Sequence, residues 1–238
     1  MLKDTKTHIM DVAEALFAKQ GFKACSLRTI TQEAEVNLAA VNYHFGSKER
    51  LLEAIYARRI NPMNAERMQR LHQLRTQYAD QTIPVIALAR AFVEPALRLS
   101  REARQQQFIR LLGRCYLEPS LGVQRNIRAL FDEVVNNFKD AFAASLPELS
   151  REELYWRLHF MVGVLAYCMA GTDMMRVIAS SHLSNGHDTE LLVDRLVGFI
   201  CHGLSGERGA AGLRLEEGVT EGVTEAMPSE PRRHRLNS

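Results

Sequence analysis

An all-α fold is what this sequence predicts, and three observations carry the prediction. Apolar residues recur three and four apart through most of the first 205 positions. No stretch alternates strictly between apolar and polar residues, as a half-buried strand would. Capping residues and glycines stand where the periodic runs begin and end. The pattern divides the chain into a three-helix head over 1–60, a larger helical body over 61–205 and a tail over 206–238.

The elements follow in order. A first helix is expected from about Asp4 to Gln20, with Ile9, Val12, Ala13, Leu16 and Phe17 as its apolar stripe and Gly21 as its stop. Ser26 caps a short second helix whose inward residues are Leu27, Ile30 and Ala34. Asn37 caps a third over Leu38 to Phe45, and Ser47 caps a long fourth beginning at Lys48. The second and third are joined only by the turn from Glu35 to Asn37, which makes a helix-turn-helix. In the body, helical stretches fall near 83–100, 104–117, 121–144, 150–172 and 188–204. Pro84 suits a first turn and Pro95 should kink its helix. Ile127, Leu130, Phe131, Val134, Val135, Phe138 and Phe142 share one broad face. Beyond Ser205, glycine, glutamate and arginine replace the apolar stripe, and "GVTE" occurs twice in tandem. With too little apolar surface to offset the cost of ordering, the tail is expected to be disordered.

Composition bounds the chemistry. A net charge of +2 with 46% apolar and 24% charged residues describes an ordinary globular chain. No global field draws in nucleic acid or an anionic membrane, so any such binding rests on local placement. Cys25, Cys115, Cys168 and Cys201 are scattered, without the close pairs of a zinc or redox motif. No secretory-signal pattern opens the chain, so a cytoplasmic location with reduced thiols is expected. The most apolar run, 158–170, is broken by His159 and falls short of the ~20 residues a membrane span needs. No membrane partner is expected.

The segment "VNLAAVNYHFGSKERLLEAI", 36–55, is poorly made for mere packing. Val41 and Phe45, four apart, face inward. Ala39 and Ala40 leave a slim leading face beside Asn42, Tyr43 and His44, and such a face fits the major groove of DNA. An alanine methyl can meet a thymine methyl, Asn42 can bond bases or phosphates, and Tyr43 and His44 can donate to phosphates. The capping Asn37 opens this face. Lys48 stands in the first turn of a helix, where a cation opposes the dipole. A DNA phosphate drawn by the free N–H groups of that helix start would resolve the misfit. On the preceding helix the hydroxyls of Ser26 and Thr29 suit phosphates, and Arg28 suits a guanine edge.

Residues 9–56 resemble the N-terminal domain of TetR-type transcriptional regulators nearly throughout. The matching motifs are A-x-x-L-F-x-x-x-G-F at 13–22, S-L-R-x-I at 26–30, A-x-V at 34–36 and Y-H-F-x-S-K-E-x-L at 43–51. The resemblance implies a DNA-binding head, an all-α ligand-binding body and a homodimer reading a palindromic operator in double-stranded DNA. It assigns the DNA contacts to Arg28, Thr29, Ala39, Ala40, Asn42, Tyr43, His44 and Lys48. The head is only mildly basic, with nine Lys and Arg against seven Asp and Glu over 1–60. A few well-placed phosphate contacts and a moderate salt slope are therefore expected.

In the body, "ELYWRLHFMVGVLAYCMAG", 153–171, is apolar on nearly all sides, so its helix should be buried from more than one direction. Trp156, Phe160, Gly163, Tyr167 and Ala170 step by three and four, as a helix–helix seam requires. The last helix offers Leu192, Leu196, Phe199, Ile200 and Gly203. Trp156, Gly163, Ala170, Leu192, Leu196 and Phe199 are the expected contacts of a four-helix dimer interface, the alternative being that both helices fill one monomer's core. With "FIRLLGRCYLEPSLG" at 108–122, the body is similar to the fatty-acid-responsive, PsrA-like branch of the family. That resemblance implies a small hydrophobic effector, a long-chain fatty acid or acyl-CoA. Phe92, Leu112, Tyr116, Phe160 and Tyr167 can line an apolar pocket, or simply belong to the core. Arg110 and Arg114 suit a carboxylate or phosphate, or a solvated face.

Other chemistry is not called for. "GSKERL" lacks the glycine spacing of a phosphate loop. His182, His187 and Asp188 fall in a polar turn, and no metal or cofactor is expected. No nucleophile with its base is flagged, so the chain does not read as an enzyme. The expected function is a ligand-released repressor. Its alternatives are an activator of the same fold, or an all-α carrier that binds no operator.

Overall fold

The computed structural model describes residues 4–99, 108, 127–169 and 189–206. Its elements are α-helices: α1 Thr5–Gln20, α2 Leu27–Glu33, α3 Leu38–Phe45, α4 Lys48–Gln77, α5 Val85–Arg98, α6 Asp132–Ser145, α7 Arg151–Met169 and α8 Thr189–Ser205. The expected all-α class is observed. Among the described residues no helix is long and apolar enough to cross a membrane. The tail from 207, the stretch 109–126 and the polar turn with His182, His187 and Asp188 lie outside the described residues.

The head is built as its caps dictate. α1 buries Ile9, Met10, Ala13 and Phe17, with Val12 and Leu16 half-buried at its flank. It stops at Gly21, whose φ of 84° suits glycine and whose N–H donates to Phe17 O at 2.9 Å. The side chains of Ser26, Asn37 and Ser47 accept from the N–H groups of Thr29, Ala40 and Arg50 at 3.0, 2.8 and 3.2 Å. Each satisfies one of the donors a helix start leaves orphaned. The α2–α3 turn places Glu35 at a φ of 51°, a left-handed conformation that costs a non-glycine residue about 1 kcal/mol. Val36 N–H donating to Thr31 O at 3.0 Å and the His8 ring donating to Ala34 O at 3.2 Å hold it there.

α4 leaves the head and enters the body without interruption. Leu51, Leu52, Ile55, Tyr56, Ile60, Met63 and Leu71 form its buried stripe, and the helix runs through Pro62. Pro84 stands one position before α5 as its cap, and Pro95 lies inside it. α5 is the centre of the body: Leu88, Ala89, Ala91, Phe92, Val93, Pro95, Ala96 and Leu97 are all buried, and α4, α6, α7 and α8 pack around it.

One expectation is corrected here. The single helix expected over 121–144 breaks at Leu130 and Phe131, where N–H groups donate back three residues to Ile127 and Arg128, and α6 begins at Asp132. Val135 consequently turns outward and is exposed, while Val134, Phe138 and Phe142 are buried. Within one chain α5 is buried on nearly all sides, while α7 buries Leu154, Met161, Leu165 and Met169 on one face and leaves its aromatic residues outside.

Charged side chains also enter the core. Glu14 is 4% exposed and accepts from Arg58 at 2.6 Å and Arg59 at 2.9 Å, while Arg58 also reaches Asp11 at 2.8 Å. These bonds tie α1 to α4. Arg67, buried, donates to Phe92 O at 2.8 Å and covers the Phe92 ring at 4.0 Å. Asn64 donates to Leu130 O at 2.7 Å, and Arg70 meets the buried Glu94 of α5. These bonds tie α4 to the body.

Replacing Glu14 with Ala takes the carboxylate from Arg59 and leaves Arg58 with Asp11 alone, both guanidinium groups being about a quarter exposed. The expected loss is about 2 kcal/mol, below the ~3–5 kcal/mol of a fully buried pair because water reaches both arginines. Urea unfolding would register it as a lower midpoint at unchanged slope. A midpoint within error of the parent would show that the cluster does not hold α1.

Candidate nucleic-acid interface

α3 is two turns long, and its two faces differ sharply. Val41 is fully buried and Phe45 nearly so, against the core that α1 and α4 share. Opposite them, Leu38, Ala39, Asn42 and Tyr43 are exposed, with Tyr43 86% exposed. An aromatic left that open on a helix this short has no packing role. Ala40 is half-buried against the core, so its neighbour Ala39 supplies the slim side. His44, half-buried, stands edge-on to Tyr43 with ring centroids 5.1 Å apart, and this contact limits where the phenol can point. The helix closes at Gly46, whose φ of 77° turns the chain into α4.

α2 presents Ser26 and Arg28 outward while Ile30 and Thr31 face in. Thr29 is half-buried, and its hydroxyl lies 2.8 Å from Ser26 Oγ. The Ser26 hydroxyl is therefore shared between the α2 cap and Thr29, so of this trio Arg28 has the freest reach. Asn37 spends its carboxamide oxygen on the α3 cap, and its NH2 group remains the donor for an acceptor outside.

Lys48 sits differently from the other nine candidates. Its ammonium bends back across the head and donates to Phe22 O at 3.0 Å and to Cys25 O at 2.8 Å, 4.3 Å from the Phe22 ring centroid. Arg58 and Arg59 are taken up by Glu14, so among the described residues the exposed cations of the head are Lys6, Lys19, Lys23, Arg28 and Arg50. Leu38, half exposed at the first position of α3, was not among the sequence candidates. Its signal was an apolar residue directly after a cap, on the side away from Val41 and Phe45, and its methyls can serve thymine as an alanine's do.

The other expected sites are placed unevenly. On α7, Trp156 and Phe160 are more than half exposed and stack with centroids 5.9 Å apart, and Gly163 and Tyr167 continue that exposed stripe. On α8, which packs beside α7, Phe199 is 66% exposed and Gly203 is open. Leu192 is half-buried, and Leu196 is corrected to the core: it shares a face with Val193, Val197 and Ile200, turned toward α5. Ala170 lies outside the described residues. The pocket set is not brought together. Phe92 packs edge-on against Phe138 at 5.2 Å in the interior, Phe160 and Tyr167 stand on the outer side of α7, and Leu112 and Tyr116 lie outside the described residues. An open cleft of about 660 Å3 between the end of α4 and α6 is lined by Arg75, Tyr78, Ile83, Asp140, Ala141 and Ala144, none of them a residue of the expected pocket. Arg110 and Arg114 are also outside the described residues.

The remaining chemistry is quiet. Burial raises the Cys25 thiol's pKa against the opposing Lys48 ammonium, burial alone raises Cys168, and burial raises Cys201 against Arg90. All three stay free thiols. Among the described residues no cluster of three metal-ligating side chains occurs.

Comparison with known proteins agrees with this geometry. The family described as "Bacterial regulatory proteins, tetR family" matches residues 9–55, and "Tetracyclin repressor-like, C-terminal domain" matches residues 90–203. The uncharacterized HTH-type transcriptional regulator TtgW of Pseudomonas putida is 34% identical over 64 residues, a match spanning 27% of this chain and 48% of that relative. Among solved structures, the fatty acid degradation regulator FadR of Bacillus halodurans shares the fold at 15% identity and a TM-score of 0.54, over 85% of this chain and 99% of that one. FadR of Bacillus subtilis, solved with stearoyl-CoA, shares it at 13% identity and 0.55, over 83% and 98%. PfmR of Thermus thermophilus does so at 20% identity and 0.57, over 84% and 99%. Two family matches that between them take in the head and most of the body, each where the structure has the corresponding helices, establish that the chain belongs to the TetR family, which comprises DNA-binding regulators of transcription and not enzymes.

Proposed function

We propose that this protein is a homodimeric repressor whose paired α3 helices enter successive major grooves of a palindromic operator, and that a small hydrophobic effector releases it. The observation that carries the DNA-binding part is the exposed face of α3, where Tyr43 and Asn42 project beside a side chain as small as Ala39. In this reading 1–60 is the DNA-binding unit and 61–205 the ligand-binding and dimerisation unit. Arg28 reads a base edge. Asn37, Tyr43 and His44 hold phosphates with Ser26 and Thr29, while Ala39 admits the backbone to the groove and Ala40 seats the helix on the core behind it. Selecting bound sequences from a random DNA pool tests it, with an inverted repeat of half-sites about one helical turn apart expected. Replacing Tyr43 with Ala should weaken operator and unrelated DNA alike. Replacing Arg28 with Ala should cost ~1–3 kcal/mol and relax preference at one base position. Full discrimination in the Arg28 variant would remove that assignment.

Dimerisation is supported by the apolar stripe that α7 and α8 leave outside: Trp156, Phe160, Gly163, Tyr167, Phe199. An exposed run of large apolar groups this continuous marks a protein interface, and two helices from each subunit make a four-helix arrangement. The double replacement of Trp156 and Phe199 by Glu should give a folded monomer by sedimentation equilibrium, with operator affinity lost. A dimer surviving both changes would place the interface elsewhere.

For the effector we favour a long-chain fatty acid or acyl-CoA. Support comes from the similarity of the 108–122 and 153–171 segments to fatty-acid-responsive regulators, and from a shared fold with a FadR solved with stearoyl-CoA. A ligand can shift the equilibrium only by its preference for one conformer, so release requires tighter binding to the DNA-incompetent form. Operator titrations with long-chain acyl-CoA and with free fatty acid should show at least about tenfold weakening with one of them, a ~1.4 kcal/mol coupling. Unchanged affinity with both would end the fatty-acyl assignment while leaving DNA binding intact.

A further inference from the structure

We infer that Lys48 is a positioning residue for α2, a clamp on the turn that presents Arg28, and not a phosphate ligand. The inference rests on the DNA-binding reading above for its consequence, but its geometry stands apart from it. Lys48 opens α4, where a cation is disfavoured by the helix dipole. The side chain meets that cost by turning away from the helix axis. Its ammonium has three N–H donors, and two are spent on Phe22 O and Cys25 O at 3.0 and 2.8 Å. The Phe22 ring, 4.3 Å from the nitrogen, covers another side of it.

The two carbonyls bracket the turn between α1 and α2. α2 has only seven residues, far too few to hold a direction by its own hydrogen bonds. Ile30 and Thr31 seat it in the core, the His8 ring on Ala34 O holds its end, and this turn sets its start, directly before the Ser26 cap. A compact ammonium can meet two carbonyls and an aromatic face at once, and it does so from α4, the helix that also anchors α3 through Gly46. Lys48 thereby fixes the α2 start, and with it Arg28, to the frame that carries α3.

The test compares wild type with Lys48→Met, Lys48→Arg and Phe22→Leu in the full-length protein. It uses the selected operator across a salt series, together with amide hydrogen exchange of the free protein. In the Met variant, operator affinity should fall roughly tenfold, the worth of two charge-assisted hydrogen bonds. The salt slope should stay within about half a unit of wild type, because no phosphate contact is lost. Base preference should relax at the Arg28 position, and amides of 22–29 should exchange roughly tenfold faster, by the same loss of hydrogen bonds. The Arg variant should not restore base preference, because a planar fork cannot seat on both carbonyls as an ammonium does. Phe22→Leu, which alters no charge, should show the same pattern more weakly. A salt slope reduced by about 0.9 with base preference intact, and recovery of affinity in the Arg variant, would make Lys48 a phosphate ligand and overturn the inference. Unchanged exchange at 22–29 would overturn it independently. Wild type selecting no operator would sink the DNA-binding reading alone, since the exchange data still decide the clamp.

Discussion

A helix of eight residues does not persist by itself in water, because nucleation costs more than two turns of hydrogen bonds return. α3 exists because Val41 and Phe45 are buried on a surface that α1 and α4 share. The rest of the head can be understood as the means of keeping that surface fixed. Burying two side chains on one face commits the opposite face to solvent, so Ala39, Asn42 and Tyr43 are outside by the same geometry that holds the helix in place. Recognition and folding are two consequences of one helical period.

Caps and buried charges then do what length cannot. Ser26, Asn37 and Ser47 each start a helix at a defined residue, so the phase of Arg28, Asn42 and Lys48 around their axes is set locally. The Glu14 cluster fixes α1 against α4 with directional bonds. An apolar contact would tolerate sliding along the groove, whereas a carboxylate held by two guanidinium groups tolerates little. The head therefore has the rigidity that reading DNA demands despite a small core.

Much of this was legible in the residues. The caps, the glycine stops, the inward triplet of α2 and the outward face of α3 all follow from spacing of three and four with a polar residue ahead. What was not legible required knowing which helix meets which. Glu14 lies in a buried arc beside Ala13 and Phe17, where periodicity alone gives no warning that an acid is kept because Arg58 and Arg59 arrive from a distant part of the chain. Leu196 fits an interface row as well as a core row, and only the position of α5 decides between them. α7 looks buried on all sides because its sequence carries both the monomer's core and the exposed stripe proposed to meet the partner. The break before Asp132 escaped because Leu130 and Phe131 keep the apolar register through a non-helical turn. Lys48 was read from its place on the helix start, while its side chain answers to a turn well upstream.

α4 is where these constraints become a mechanism. Its head-side anchors, Lys48 to the α1–α2 turn and Arg58 and Arg59 to α1, end at residue 59, and its body-side anchors begin at Asn64 and continue with Arg67 and Arg70. Between the two sets stands Pro62, which has no N–H to give and so removes one bond of the helix ladder. The helix is thus held firmly on both sides of its weakest position, the arrangement in which strain is released as a bend and not spread along the rod. Phe108 packs on the head side of this point: its ring lies 6.0 Å from that of Tyr56 and 5.9 Å from the Arg59 guanidinium, which holds Glu14 of α1. Since α3 is seated on α1 and α4 together, even a small rotation of that pair redirects the face carrying Tyr43.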